Sequence, residues 1–182
     1  MWIIDPIDGT REYARRLPEF AIHVALWERA ADGLIAGSIA IPNHSLVWST
    51  ADSAEISAPK NRPLTIVASH RNTTHVIEKL AAALAPDAVR LGYDGVVVRN
   101  CGSVGGKVHQ ILAGAADIYL STVGFNEWDS AAPTAVAVHY GLVVTDVSGA
   151  ALQFNRMPPL TDSFLVSRPE LAAIVQAAVA SL

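Results

Sequence analysis

A chain of 182 residues, 51% apolar and 16% charged, can bury a sizeable core as one compact domain or as two small lobes sharing an interface. Its formal charge of −4, from 13 basic against 17 acidic residues, excludes nucleic acid and membrane surfaces as partners held by bulk attraction. Mean hydropathy is +0.32, yet every apolar run breaks before the roughly 18 residues of a bilayer span, and Asp5 comes too early for a secretory leader, so a cytoplasmic protein is expected.

Trp2-Ile3-Ile4 runs into Asp5-Pro6-Ile7-Asp8-Gly9-Thr10, which predicts a strand ending in a polar turn, with Thr10 opening a helix. Phe20, Ile22, Val24 and Leu26 alternate with Ala21, His23, Ala25 and Trp27, the period of a strand with unlike faces. Asp32-Gly33 and Pro42-Asn43-His44 supply turns, so Leu34 to Ile41 and Leu46 to Thr50 extend an antiparallel meander. The segment Ser57 to Pro63, with two prolines and exposed polar residues, is the best internal boundary and gives lobes of 1–60 and 61–182.

Beyond it, strands are expected at Leu64 to Ser69, Val96 to Val98, Ile118 to Leu120 and Leu142 to Thr145. Helices are expected at Thr74 to Leu84, Val104 to Ala113, Ser130 to Tyr140 and Pro169 to Ala180, an alternation that favours an α/β layer. Cys101, the only cysteine, excludes an intrachain disulfide and a thiolate metal cluster and reads as a small buried hydrophobe.

Two acidic patterns carry chemistry. Asp5 and Asp8 lie three apart around Pro6, so a turn can aim both carboxylates and the Ile7 carbonyl at one point. Carboxylates about 4 Å apart repel by about 4 kcal/mol at an effective dielectric of about 20, and Mg²⁺, which takes carboxylate, carbonyl and water oxygens, compensates them. Gly9 and Thr10 add backbone N–H groups for an anion and a hydroxyl that can orient water. By itself this pattern also fits a solvated turn; the apolar strand before it favours the metal reading. In Glu127-Trp128-Asp129-Ser130-Ala131-Ala132-Pro133, Asp129 reads as the N-cap of a helix with Pro133 in its first turn. It caps only, or it holds a metal beside the helix dipole.

Trp2 to Thr10 resembles the first metal motif of the inositol monophosphatase superfamily, and Trp128 to Pro133 its second. Gly102-Ser103-Val104-Gly105-Gly106-Lys107 and Ala113 to Tyr119 resemble that family's Gly-Ser helix and next strand, so the likeness covers the chain. Thr10 to Tyr13, His23 to Glu28 and Ser167 to Leu171 look most like its CysQ-type 3′(2′),5′-bisphosphate nucleotidase branch.

The resemblance implies an α+β layered sandwich of mixed sheets flanked by helices, lacking the family's N-terminal segment. It implies a Mg²⁺-dependent, lithium-sensitive phosphomonoesterase that removes the 3′-phosphate of adenosine 3′,5′-bisphosphate or hydrolyses inositol monophosphate, with two or three ions in the complete family site. Asp5, Asp8, Asp129 and the Ile7 carbonyl match metal ligands; Gly9 and Thr10 match the phosphate turn, with Thr10 also positioning water. Ser69, His70 and Arg71 either meet a substrate phosphate or form a surface turn; Glu127 shapes the pocket or is a pre-cap acid. Lys107 faces phosphate or solvates itself, and His23, His44, His75, His109 and His139 are expected in structural or surface roles. Family members carry an upstream Glu-Glu pair that ligates metal and activates water. Its lack here motivates an alternative, a catalytically impaired metal- and phosphate-binding fragment or interaction partner. Sheet left without its N-terminal cover invites pairing, with a homodimer as one arrangement.

Overall fold

The computed structural model describes residues 1–56, 62–70 and 75–182. In chain order the elements are β1 (Trp2–Asp8), α1 (Thr10–Ala14), β2 (Ala21–Glu28), β3 (Gly33–Ile41), β4 (Leu46–Ser49), β5 (Leu64–Ala68), α2 (His75–Arg90), β6 (Val96–Asn100), α3 (Val104–Leu112), β7 (Ile118–Ser121), β8 (Phe125–Asn126), α4 (Glu127–His139), β9 (Val143–Thr145), β10 (Leu160–Thr161), β11 (Phe164–Ser167) and α5 (Ala172–Ala180). Most of the expected boundary, at 57–61, lies outside the described residues, as do Arg71 and Thr74.

Strands β1 to β4 form the expected antiparallel meander in sequence order. The face it buries on β2 is not the more apolar one. Ala21, His23, Ala25 and Trp27 point inward, while Ile22 is exposed and Val24 and Leu26 are half-buried. The reason is the helix on that face: α4 crosses β1, β2 and β3, so close to β3 that a Cβ on Gly37 would lie 2.7 Å from the Ala135 Cβ. Small, fully buried side chains at Ala21, Ala25, Ala131 and Ala132 keep that approach open. Trp2, Ile4, Ile22 and Val47 are left exposed on the outer face.

The second sheet runs β6-β5-β7-β11-β9. β5 is parallel to β6 and β7, through crossovers that α2 and α3 supply, and β11 is antiparallel to β7 and β9. A two-stranded ribbon of β8 and β10 stands apart from both sheets. Helices α3 and α4 fill the space between the sheets, and α2 and α5 cover the far side of the second sheet. The apolar core divides accordingly: one cluster lies between the sheets and draws on residues from Ile3 to Val166, the other packs Leu80 and Leu84 of α2 and Val175 of α5 on Ile66 and Leu165.

Helix α2 runs past the expected end at Leu84 to Arg90 and takes Pro86 inside it. Ala82, whose carbonyl loses its i+4 donor to the proline, is exposed, as is Pro86, so water can satisfy that oxygen. The closing helix begins with a 3₁₀ turn at Pro169–Leu171. Among the described residues no helix is long and apolar enough to cross a membrane.

Candidate metal centre and its cleft

In a regular strand, residues three apart point to opposite faces. Asp5 and Asp8 nevertheless are both buried, at 7% and 5% exposure. The parity is corrected by an irregularity in β1: Asp5 pairs with His23 and Asp8 with Ala21, so three steps on β1 oppose two on β2. Pro6 sits exposed in this bulge, where its missing N–H deprives no ladder bond, and the Ile7 N–H donates to Asp5 Oδ1 at 3.0 Å. The expected turn at Asp5–Asp8 is thus a bulged strand, and the chain turns at Gly9. There φ is +84°, and a Cβ would lie 2.8 Å from the Glu19 carbonyl, so glycine is required on both counts.

The second acidic motif also differs from its reading. The N-cap of α4 is Asn126, three residues before Asp129, and Pro133 lies in the second turn of the helix. Two anchors draw the start back. Asn126 pairs with Leu160 across the β8–β10 ribbon, and the buried Glu127 carboxylate accepts the Asn155 and Arg156 N–H groups at 2.9 and 2.8 Å. Asp129 then stands at the third helical position and accepts the Asn126 N–H at 2.9 Å. Its carboxylate therefore both closes the capping box and faces the bulge.

One carboxylate oxygen from each of Asp5, Asp8 and Asp129 can be chosen so that all lie within 4.8 Å of one another. Burial, then the charge of Asp8, raises the Asp5 carboxyl above its ordinary range. Burial, with the charges of Asp8 and Asp5, pushes Asp129 up to about 6, although the Asn126 N–H opposes the shift. The Asp8 carboxylate takes the Ser103 hydroxyl at 2.5 Å and the Gly105 N–H at 2.9 Å, both on Oδ2, which leaves Oδ1 for a cation. Ser103 in turn caps α3 by accepting the Gly106 N–H at 2.9 Å. Three mutually repelling carboxylates with an oxygen-only donor set fit a hard divalent cation, whose charge relieves the repulsion.

The centre opens on a cleft of about 410 Å³ lined by Asp8, Gly9, Thr10, Ser69, His70 and Asp129, together with residues of the α3 start and the β7–β8 loop. Ser69, Gly102 and Ser121 follow or close β5, β6 and β7, the carboxyl ends where open α/β sheets receive ligands. Of the expected site residues, Asp5, Ile7 and Glu127 do not line this cleft; Asp5 reaches the centre from behind Asp8 and Asp129, within the same 4.8 Å cluster. Lys107 does, and it is not solvated: at 2% exposure its ammonium donates to the Gly102 and Ser103 carbonyls and lies 5.0 Å from the centre of the Tyr119 ring. Burial lowers its pKa against the pull of Cys101 and the nearby carboxylates. Sequence reasoning named Ser103 and Gly105 only as part of the Gly-Ser helix, without a role beside Asp8, and passed over Glu19. Ser103 carried a readable signal, a serine before a helix, whereas Glu19 did not. The Glu19 carboxylate lies 2.6 Å from His70 Nε2 and takes the Gly102 N–H at 2.7 Å, joining two rim loops distant in sequence.

The sequence matches the model of the Inositol monophosphatase family over residues 1–181. It is 32% identical to the 3′-phosphoadenosine 5′-phosphate phosphatase of Mycobacterium tuberculosis, over 99% of this chain and 66% of the relative. It is 26% identical to the 3′(2′),5′-bisphosphate nucleotidase CysQ of Escherichia coli, over 91% of this chain and 67% of the relative. The crystal structure of CysQ from Bacteroides thetaiotaomicron shares the fold, with a TM-score of 0.75 at 23% identity over 92% of this chain and 69% of that one. The chain thus spans 66% of the length of the mycobacterial relative.

Proposed function

Because this chain belongs to the inositol monophosphatase family, we propose that it works as a Mg²⁺-dependent phosphomonoesterase on a small phosphorylated metabolite, adenosine 3′,5′-bisphosphate before inositol monophosphate. The observation that carries the reading is the meeting of Asp5, Asp8 and Asp129, from two motifs more than a hundred residues apart, within 4.8 Å beside a polar cleft that Asp8 and Asp129 line. The order of substrates follows the names of the relatives, of which the mycobacterial phosphatase is among the most similar.

Bound there, a divalent cation would supply Lewis-acid activation of water and neutralise charge on the phosphoryl oxygens. The chain's own part is positional. Asp5, Asp8 and Asp129 hold the charge, with the Ile7 carbonyl as a further oxygen ligand. Gly9 and Thr10 receive the phosphate, and the Thr10 hydroxyl orients the attacking water; Ser69 and His70, in the same cleft lining, contact the rest of the ester. No covalent intermediate is required, since an in-line displacement depends chiefly on alignment and charge.

The test is phosphate release from adenosine 3′,5′-bisphosphate, inositol 1-phosphate and fructose 1,6-bisphosphate with and without Mg²⁺. Release from the first, dependent on Mg²⁺, is the expected result. Release from none would sink the enzyme reading, and Mg²⁺ binding without turnover would favour the impaired-fragment alternative.

A further inference from the structure

His23 is the one large polar side chain on the inner face of β2, set between Ala21 and Ala25 and with no exposed surface. An imidazole is expensive to bury among alkyl groups unless its nitrogens are used. Its position relates it to all three acids of the centre, to Asp8 by side-chain contact and to Asp5 and Asp129 through the backbone. Across the β1–β2 ladder it stands directly opposite Asp5. Its Nε2 lies 3.2 Å from Asp8 Oδ2, the oxygen already held by Ser103 and Gly105. Its Nδ1 lies 3.4 Å from the carbonyl of Trp128, the residue before Asp129. Among the described residues Nε2 has no hydrogen-bond partner, and the Asp8 carboxylate, though out of line for a hydrogen bond, is the charged group beside this wholly buried nitrogen. Helix α3 closes the remaining side, because the ring leaves no room for a Cβ at Gly105.

We propose that His23 is a positioning residue of the cation site, a strut from β2 that sets the Asp8 carboxylate against the first turn of α4 and so fixes the separation of Asp8 and Asp129. This rests on the reading of Asp5, Asp8 and Asp129 as cation ligands. Both groups that face the ring, a carboxylate oxygen and a backbone carbonyl, are acceptors, so whichever ring nitrogen carries the proton has an acceptor in reach, and among the described residues no other side-chain bond joins β1 to α4. A partner behind a metal ligand orients it, and losing such a partner typically weakens metal affinity by about 10–100-fold.

Three variants separate this role from core filling. His23→Leu keeps the bulk and removes both nitrogens, His23→Asn keeps a donor toward Trp128 but cannot reach Asp8, and His23→Gln restores a donor toward Asp8. Mn²⁺ affinity is measured by calorimetry on the metal-stripped protein, alongside its thermal melt without cation. Affinity is expected to fall about 10–100-fold in the Leu and Asn variants and to return to within about threefold of the parent in the Gln variant. If the Leu variant does not fold, the Asn and Gln pair carries the comparison. Parent-like Mn²⁺ affinity in Leu or Asn, with only the melt lowered, would overturn the proposal. A parent protein that binds no Mn²⁺ would overturn the ligand reading beneath it, and the proposal with it.

Discussion

Replacing Asp129 by Asn is expected to make the metal-free protein more stable while removing its response to Mg²⁺ and most of its phosphate release. The two effects share one cause. Without a cation, the folded state holds Asp129 where burial and two neighbouring carboxylates disfavour its charge, and its pKa rises from 3.8 to about 6. A carboxyl whose folded pKa is raised contributes stability below its unfolded pKa and loses it as pH climbs through the folded value. The penalty in the parent protein is therefore absent near pH 4, grows between about pH 4 and 6, and is complete at neutral pH. At 1.36 kcal/mol per unit, and discounted for partial exposure, it amounts to about 2 kcal/mol. Asparagine escapes it and still offers an oxygen to the Asn126 N–H, so the capping bond survives. Urea melts of the stripped proteins at about pH 4 and pH 7.5 check the sign: no difference at the lower pH, and a more stable variant at the higher one. The functional loss runs the other way. A metal's charge stabilisation in the transition state is worth several kcal/mol, or about 10³-fold in rate. A variant less stable than its parent at neutral pH, or one that retained Mg²⁺-dependent turnover, would contradict this account of the residue.

The second large effect lies away from the cleft. Asp117 is wholly buried at the start of β7 and takes both arms of the Arg62 guanidinium, at 2.6 and 2.8 Å, together with the Thr65 N–H at 2.8 Å. Arg168, 2% exposed, has its Nε 3.3 Å from the same carboxylate. Asp117→Ala removes the one negative charge these contacts share and leaves two guanidinium groups facing a cavity. Breaking a buried pair in this way costs about 3–5 kcal/mol, a large part of the roughly 5–15 kcal/mol that holds a domain folded. With a urea slope near 2 kcal/mol per molar, the midpoint is expected to fall by about 2 M. A change below about 1 kcal/mol would show that water or rearranged partners replace the carboxylate.

Much of this architecture is written locally. The meander follows from strict alternation and from turns at Asp32-Gly33 and Pro42 to His44, and α3 is announced by a serine cap before a helical run. The three acids that come together were legible because their two motifs each place acids beside a distinctive apolar or small-residue context. What escaped depends on contacts distant in sequence. Alternation on β2 showed two faces but not which one is buried, because α4 selects the small-residue face by steric approach. The Asp5 and Asp8 spacing suggested a turn; only pairing with β2 reveals the bulge that aligns them. The start of α4 is set by a ribbon partner and by the loop that Glu127 holds, both roughly thirty residues downstream. Phe164–Ser167 forms β11 beside β7 and β9, yet all four of its residues are buried, so the short run has no alternation to read. His23 looked like one more core or surface histidine, since nothing in the sequence places it beside Asp8 and Trp128.

The central claim is that Asp5, Asp8 and Asp129 jointly bind a divalent cation, and anomalous scattering from a crystal soaked in Mn²⁺ tests it most directly. The account predicts an anomalous peak among these three side chains, with carboxylate oxygens about 2–2.5 Å away, and its loss in Asp5→Asn. Density for Mn²⁺ elsewhere on the molecule and none between these carboxylates would contradict it.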